Sequence, residues 1–546
     1  MAKKESLLLF RLRRFGLFVK KLLSAWHGAL GVLLILGFVF VAFFPSLFTP
    51  YTSLGEDPTN DDRFLAGDRA APSWLRSIPS FLGGNPTLSE NLNFIKDPSL
   101  PRLVNWSPSG QWLFEANQFF TAEPSTLGYP ANVTPRWYFH SPQNGSLAIE
   151  YSRSASEFPN TTYVATLYNT FKYEYAGPPK RWTANIAVKI NGTLTGSGTL
   201  QVPVLVRVFI QAVNDTRFSI WYSKSSGKTP IYLTKPTNWI IPAVNYEQTV
   251  SRMDSGSSQI RDVEPRFALP TNPIKEVFKK NPRAYLYGAE IYVQDTQAST
   301  SPVSVTILID DFNFDTLGTS WGVLGTDQRG RDIFSQLVYG TRVSLYVGLL
   351  VAMLSVAIGL TVGLASGYIG GAVDQLTMRL NDLLLVLPGL PFLVVLVTVL
   401  GARLENLIIF MGFLGWNGFA RLVRSQTLSL KERPFVEAAK AAGASTPHII
   451  ISHILPNVMA LVYISLATSV PGAVTAEAAL SWLGFFDPNR MSWGRMLNEA
   501  TGPYGRADAW WWILPPGLLI SVLAVAFIVL GFALDDVLNP KLRVRR

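Results

Sequence analysis

The sequence predicts an α-helical integral membrane protein of six transmembrane helices, with a β-rich, sandwich- or jelly-roll-like domain inserted between the first and the second. Three observations carry this. Hydrophobic residues fill 48% of the 546 positions and charged residues only 15%, against roughly 25% charged in an ordinary soluble domain. Six apolar stretches each supply the about 20 helical residues that a hydrocarbon core requires. Between the first two, Thr49 to Ser320 shifts to runs rich in Val, Ile, Thr and Tyr, the composition of strands.

Composition also excludes whole classes. With no cysteine there is no disulfide framework, thiolate nucleophile, Cys-ligated zinc or iron–sulfur cluster, and neither cofactor nor metal is expected. The net charge of +10 is concentrated in three places: Lys3, Lys4, Arg11, Arg13, Arg14, Lys20 and Lys21 at the start, Arg421, Arg424, Lys431, Arg433 and Lys440 in the middle, and Lys541, Arg543, Arg545 and Arg546 at the end. Each cluster adjoins an apolar span, as the positive-inside rule requires of cytoplasmic segments. That placement argues for membrane topology and against a nucleic-acid partner.

The first span, Gly28–Phe48, follows a basic cytoplasmic segment (1–27) and ends in FFPSLFTP without a small-residue cleavage site, so it reads as a retained anchor and not a signal peptide. The others are Leu345–Ala365, Leu380–Leu400, Leu404–Leu422, Val458–Ala479 and Ile513–Leu534, giving a five-helix core within 321–546. Six crossings leave both termini cytoplasmic. The insert 49–320, the GARLEN connection and the loop Phe485–Ala509 fall outside, and Trp510, Trp511 and Trp512 open the last span at an outer aromatic belt.

Within the insert, the stretch up to about Pro130 is rich in Pro, Ser, Asn and Gly and reads as loops. From about residue 137 the runs SLAIEYS, TYVATLY, TANIAVKI, LVRVFIQAV, RFSIWYS, YLYGAEIYV and VSVTILIDDF read as antiparallel strands. The last two resemble the closing strands of jelly-roll carbohydrate-binding modules. Six Asn-x-Ser/Thr sequons, at Asn105, Asn132, Asn144, Asn160, Asn191 and Asn214, all fall in the insert and mark candidate glycosylation sites on an external domain. Ser226-Gly227-Lys228-Thr229 imitates the end of a phosphate-binding loop, but Tyr222 stands where that motif needs glycine. With no Walker A sequence, ATP-driven work requires a partner that binds nucleotide. Asp310 and Asp311 are adjacent, so in a strand they point to opposite faces, poor geometry for a shared acid/base site; no enzyme is expected.

The segment 430–456 carries the mechanism. Glu437-Ala438-Ala439 starts an alanine-rich helix, Gly443 permits a sharp break, Pro447 suits the first turn of a second helix, and Pro456 is expected to end the element before span five. Small side chains let such an elbow sit deep in a partner's groove. The spacing of Glu437, Ala438, Ala439, Gly443, His453, Leu455 and Pro456 resembles the signature of permease subunits of binding-protein-dependent ABC importers. His453, where isoleucine is usual, is similar to the dipeptide/oligopeptide branch. LGTDQRGRD (Leu324–Asp332), TAEAALSWLG (Thr475–Gly484) and the tail GFALDDVLNPKLR resemble its second, C-type permease; the large insert departs from it. The resemblance implies the type I ABC importer permease fold and the coupling role of that elbow. It also implies a second permease subunit, two ATPase subunits and an extracytoplasmic solute-binding protein as partners in the cell membrane.

Oligopeptides and oligosaccharides both remain open as cargo, and a membrane-anchored glycan receptor and an ion-coupled carrier are the rival functions. Glu477 lies in or near span five, where an ionisable group is costly and usually faces an aqueous path; it is read as either path lining or a loop residue. Asp327, Arg329, Gly330, Arg331 and Asp332 are expected to form an external structural motif held by ion pairs. His448 and His453 are five apart, not the four that a helical metal pair prefers.

Overall fold

A computed structural model describes residues 7–50, 67–80, 84–95, 112–127, 146–155, 160–226, 228–240, 253–267, 271–279, 281–296, 302–502 and 509–538. The sequons at Asn105, Asn132 and Asn144, and the basic residues of 1–6 and 541–546, lie outside these. The chain divides into two compact units: Met1–Asp62 with Asp332–Arg546, and Arg63–Arg331.

The first unit opens with two helices, α1 (Leu7–Ser24) and α2 (Trp26–Phe43), separated by Ala25 in extended conformation. The first span therefore stops five residues short of the expected Phe48. Proline disfavours helical geometry in the residue before it, and Phe44, which precedes Pro45, leaves the helix at φ −120°, ψ 52°. Arg342 Nε reaches the freed carbonyl of Ala42 at 2.9 Å.

The second unit is a two-sheet antiparallel sandwich. Its strands are β1 (Leu92–Ile95), β2 (Leu113–Glu115), β3 (Phe120–Ser125), β4 (Ser146–Arg153), β5 (Thr161–Tyr173), β6 (Arg181–Gly192), β7 (Val204–Ala212), β8 (Arg217–Tyr222), the short hairpin β9 (Ser225–Ser226) and β10 (Thr229–Pro230), β11 (Met253–Asp254), β12 (Arg283–Asp295) and β13 (Val303–Leu317), with helices α3 (Ser258–Val263) and α4 (Pro273–Val277). One sheet runs β11-β6-β13-β4-β3 with β1 also on β13; the other runs β2-β5-β12-β7-β8. Alternation in β12 sends Tyr285, Tyr287, Ala289, Ile291 and Val293 inward, where they meet Ile149, Ile190, Ile307 and Phe312 of the facing sheet, all fully buried. Each of these valine, isoleucine and phenylalanine side chains contributes roughly 1.5–3 kcal/mol. Trp112 stacks on Phe312 at 4.6 Å and Phe171 on Phe314 at 5.3 Å.

The strands begin earlier in the chain than expected. The stretch predicted as loop contributes β1, β2 and β3, which join β13, β5 and β4 at the margins of the sheets. These are short, and β3 carries Pro124, tolerated on an edge strand; pairing with a long neighbour, not intrinsic pattern, makes them strands.

Across the sandwich, Arg153 Nε of β4 meets Asp295 Oδ2 of β12 at 2.6 Å with both side chains fully enclosed, and the Tyr151 hydroxyl donates to the same oxygen at 2.8 Å. Near the β8 end, burial alone would raise the Glu264 carboxyl; hydrogen bonds from Arg266 and from the Ser219 N–H outweigh it and hold the group below its ordinary value. A depressed carboxylate stabilises the fold above its unfolded pKa of about 4.3 and loses that contribution as pH falls through the folded value. We therefore expect the melting temperature of the β unit to fall as pH drops from about 4.3, and Glu264→Gln to flatten that part of the profile in a calorimetric pH series.

The first unit resumes with α5 (Ile333–Ile369), α6 (Gly371–Val386), α7 (Gly389–Leu400), α8 (Leu404–Gly415), α9 (Asn417–Lys431), α10 (Pro434–Ala441), α11 (Thr446–Ile449), α12 (Leu455–Trp482), α13 (Trp493–Thr501) and α14 (Trp510–Leu538). Among the described residues, five helical stretches are long and apolar enough to cross a membrane, and a sixth exists if α6 and α7 count together. The expected third span is thus corrected: it is not one straight helix from Leu380 to Leu400 but a pair bent by 90°. Leu387 precedes Pro388 and takes extended geometry, φ −67°, ψ 132°, as a residue before proline prefers. At α14 the three-tryptophan belt is also corrected. Trp510 is exposed, whereas Trp511 and Trp512 are buried against the bundle.

The centre of the bundle holds a close helix crossing that the apolar pattern does not announce. Gly359, Gly363 and Gly367 form a one-turn-spaced stripe on α5, and a Cβ at Gly363 would lie 2.6 Å from the Ala420 carbonyl and 2.7 Å from Val423 Cβ on α9. This is the small-residue packing of membrane helices. Gly363→Leu should separate α5 from α9, since overpacking of this kind costs about 1–3 kcal/mol or more, and the yield of detergent-stable protein should fall severalfold. Gly418→Ala, on the same α9 with open space around it, should leave the yield unchanged.

Candidate functional site

The elbow is built by local chemistry. Pro434 supplies the pre-set φ of a first helical turn in α10, and the helix ends after Ala441. Gly443, at φ +81°, closes it: its N–H donates to the Lys440 carbonyl at 2.9 Å, and the Ala444 N–H donates to the Ala439 carbonyl at 3.1 Å. That pair of bonds satisfies the last carbonyls of a helix ending in a left-handed residue. Ser445 then precedes α11 in extended geometry, its carbonyl accepting from the Ile449 N–H at 3.0 Å, with Pro447 in the first turn.

The elbow has an apolar underside and a small-residue crown. Val436, Ile449 and Ile454 are buried with Tyr368, Val423, Leu430 and Val458, and Ala439, Ala444 and Leu455 pack at the margin. Glu437, Ala438 and Gly443 are exposed, and a Cβ placed on Gly443 would touch nothing within 4 Å. The crown thus offers a carboxylate and bare backbone to whatever approaches. Lys431 and Lys440 both lie 5.6 Å from the Tyr368 ring centre, a cation–π arrangement that ties α9 and α10 to the end of α5.

Pro456 differs from expectation. It does not end the element: α11 continues through one π-turn, Ile450–Ile454, directly into α12. A proline has no N–H for the carbonyl four residues back; the wider turn absorbs the mismatch, and Asn457 Nδ2 donates to the His453 carbonyl at 2.6 Å. The second arm of the elbow, α11, is therefore a direct helical extension of α12, while α10 joins it through the Gly443 turn. His453 and His448 meet edge-on at 5.8 Å, and His453 faces Phe435 at 6.5 Å; no third metal ligand joins them among the described residues.

Glu477 is not a loop residue. It lies in α12, buried, with its Oε1 accepting from Ser481 Oγ at 2.7 Å. Asp327, Arg331 and Gly330 form a tight turn: Asp327 accepts from the N–H groups of Arg329 (2.8 Å) and Arg331 (3.0 Å) and from Arg331 Nε (2.6 Å), with Gly330 at φ +72°. Arg329 contributes its backbone, and its side chain is exposed. Asp332 caps α5 instead, accepting from the Ser335 N–H at 2.7 Å. Of the sequons, Asn160, Asn191 and Asn214 are all exposed.

By sequence Arg421 and Arg424 are only positive charge beside a span. In the structure each has a carboxylate on α6: Arg424 Nε and Nη2 reach Asp374 at 2.6 Å each, and Arg421 reaches Asp382. The detectable signal is two acidic residues, eight apart, in the polar half-helix that leads into the apolar run of α6 and α7.

The family described as "Binding-protein-dependent transport system inner membrane component" matches residues 359–544, which include the whole elbow. The dipeptide transport system permease protein DppC of Bacillus subtilis (strain 168) is 40% identical over 220 residues, spanning 40% of this chain and 68% of the relative. The chain belongs to the dipeptide/oligopeptide family of binding-protein-dependent permeases. This permease is also 41% identical over 218 residues to the oligopeptide transport system permease protein OppC of Escherichia coli (strain K12), and 37% identical over 241 residues to the glutathione transport system permease protein GsiD of Escherichia coli O1:K1 / APEC. Those matches cover 40% and 42% of this chain, and 72% and 77% of the relatives. An inward-facing structure of the MetNI methionine ABC transporter superposes with a TM-score of 0.32 at 18% identity, covering 37% of this permease and 97% of that chain.

Proposed function

We propose that this permease is one half of a heterodimer that passes oligopeptides across the cell membrane, with energy supplied by two ATPase subunits and cargo delivered by an extracytoplasmic solute-binding protein. In this reading the chain crosses six times, α6 and α7 counting as one broken span. Both termini and the elbow are then cytoplasmic, and the β sandwich lies outside. The single observation that carries the coupling role is the elbow itself. Glu437, Ala438 and Gly443 stand exposed on a crown of small residues, while Val436, Ile449 and Ile454 anchor it to the bundle, so a push on the crown passes through the short Gly443 turn into α11, which continues as helix into α12.

Peptide is favoured over sugar because the relatives' names specify peptides. The glycan-receptor alternative has no counterpart in the matching region, which is the membrane unit. Among the described residues, the exposed Asn160, Asn191 and Asn214 are sequons open to modification. Affinity purification in mild detergent should recover ATPase subunits with the chain, and reconstituted vesicles should accumulate labelled tri- to pentapeptides only with ATP and a binding protein. Consistent absence of ATPases from the purified complex would overturn the reading.

A further inference from the structure

The elbow is not the only element fixed to α9. Helix α6 runs alongside α9, and three polar links join them in antiparallel order: Asp374 to Arg424, Asp382 to Arg421, and Asn381 Nδ2 to the Asn417 carbonyl at 3.1 Å. The outermost link is the strongest by geometry. Arg424 grips Asp374 with two parallel bonds of 2.6 Å, the planar fork that confers both strength and orientation, and Ser366 Oγ at the end of α5 bonds the same carboxylate. The Asp382–Arg421 pair is more than half exposed on both sides, and exposed pairs contribute little.

Asp374 therefore joins three helices at one atom group. Its Arg424 partner sits on the helix that ends at Lys431, three residues before the elbow. Its Ser366 partner lies two residues before Tyr368, over which Lys440 of the elbow is poised. At the other end of α6, twelve residues from Asp374, Val386 is 84% exposed and adjoins the 90° break at Leu387–Pro388. Thus α6 is a lever with one end clamped to the elbow's support and the other at the bend of the broken span.

We propose that the Asp374–Arg424 pair positions α6 so that movement of the elbow is transferred to the broken α6–α7 segment. This rests on the coupling role assigned to the elbow above; the pair itself would contact neither nucleotide nor cargo. Charge alone without the fork is insufficient, so Arg424→Lys should weaken the transfer as well.

The test uses the intact complex with its ATPases, and exploits the absence of cysteine from the chain. Val386→Cys gives this chain a single thiol, whose alkylation rate, read on this chain's own gel band, is measured with and without ATP, in the parent chain, in Asp374→Asn, in Asp374→Arg, and in the swapped pair Asp374→Arg/Arg424→Asp. In the parent, ATP should change the rate at least about threefold. Asp374→Asn and Asp374→Arg should abolish that response and lower peptide uptake about tenfold, while ATPases still co-purify and ATP hydrolysis persists; the swap should restore at least about a third of uptake. These factors are on the scale of the coupling free energies that link distant sites. An ATP response preserved in Asp374→Asn, unaltered uptake, or an unresponsive thiol at position 386 in a complex that does transport would overturn the proposal. So would equal loss of hydrolysis, uptake and protein yield in every variant including the swap, because that is a purely structural role. Failure to capture ATPases with the parent chain would instead overturn the coupling reading beneath it.

Discussion

Gly443→Val and Glu437→Lys are each expected to reduce ATP-dependent peptide uptake by at least about tenfold, equivalent to about 1.4 kcal/mol, with near-normal amounts of protein in the membrane. The two act differently. Gly443 holds φ +81°, a region costing an ordinary L residue about 1–2 kcal/mol, and a β-branched side chain more. Valine there would abandon the two bonds that end α10 and reopen the elbow. Because a Cβ at Gly443 meets no atom within 4 Å, the damage stays in the elbow and does not spread to the core beneath. Glu437 is exposed, and surface substitutions usually change stability by no more than about 0.5 kcal/mol; under the proposed coupling role, a charge reversal there acts on the contact with the ATPase and leaves the core intact. Uptake assayed beside ATPase capture separates the cases. Gly443→Ala should be milder than Gly443→Val, and full uptake in both Gly443→Val and Glu437→Lys would remove the elbow from the mechanism.

Asp295→Ala is expected to be the most destabilising single change in the β unit. Arg153 and Asp295 are fully enclosed and the Tyr151 hydroxyl bonds the same carboxylate, so deleting one partner strands a buried guanidinium. Breaking such a pair costs about 3–5 kcal/mol, on the order of 10 °C of melting temperature for a domain of this size. Replacing both residues, as Arg153→Met/Asp295→Leu, should recover much of the loss, because the desolvation cost disappears with the charges. Thermal unfolding of the full chain in detergent, read by its β signal and by protease resistance, measures both. A melting point within about 2–3 °C of the parent for Asp295→Ala, the scale of a change below about 1 kcal/mol, would show that water reaches the pair.

Much of the fold is legible because membrane helices and sandwich strands are written in local pattern. Val, Ile and Tyr at every second position of β12, β7 and β6 predict buried faces before any partner is known, and the elbow's turn follows from Gly443 and Pro447 alone. Edges and breaks are less legible. Phe120–Ser125 has no strong strand pattern and becomes β3 only because β4 offers it a ladder. Pro456 looks like a stop, yet the chain meets it with a π-turn and continues. Pro388 is hidden inside an apolar run, although its effect on Leu387 bends the span by 90°.

What the sequence by itself determined is the membrane character, the position of the β-rich insert in the chain, the elbow and its family, since each depends on composition or on residues near one another in the chain. What only the tertiary structure decided is pairing over distance. Arg424 finds Asp374 fifty residues away, Arg153 finds Asp295 across two sheets, and Gly363 lies against the Ala420 carbonyl. Charge and size are properties of single residues, but whether a charge is a surface signal or a clamp depends on what the folded chain sets against it.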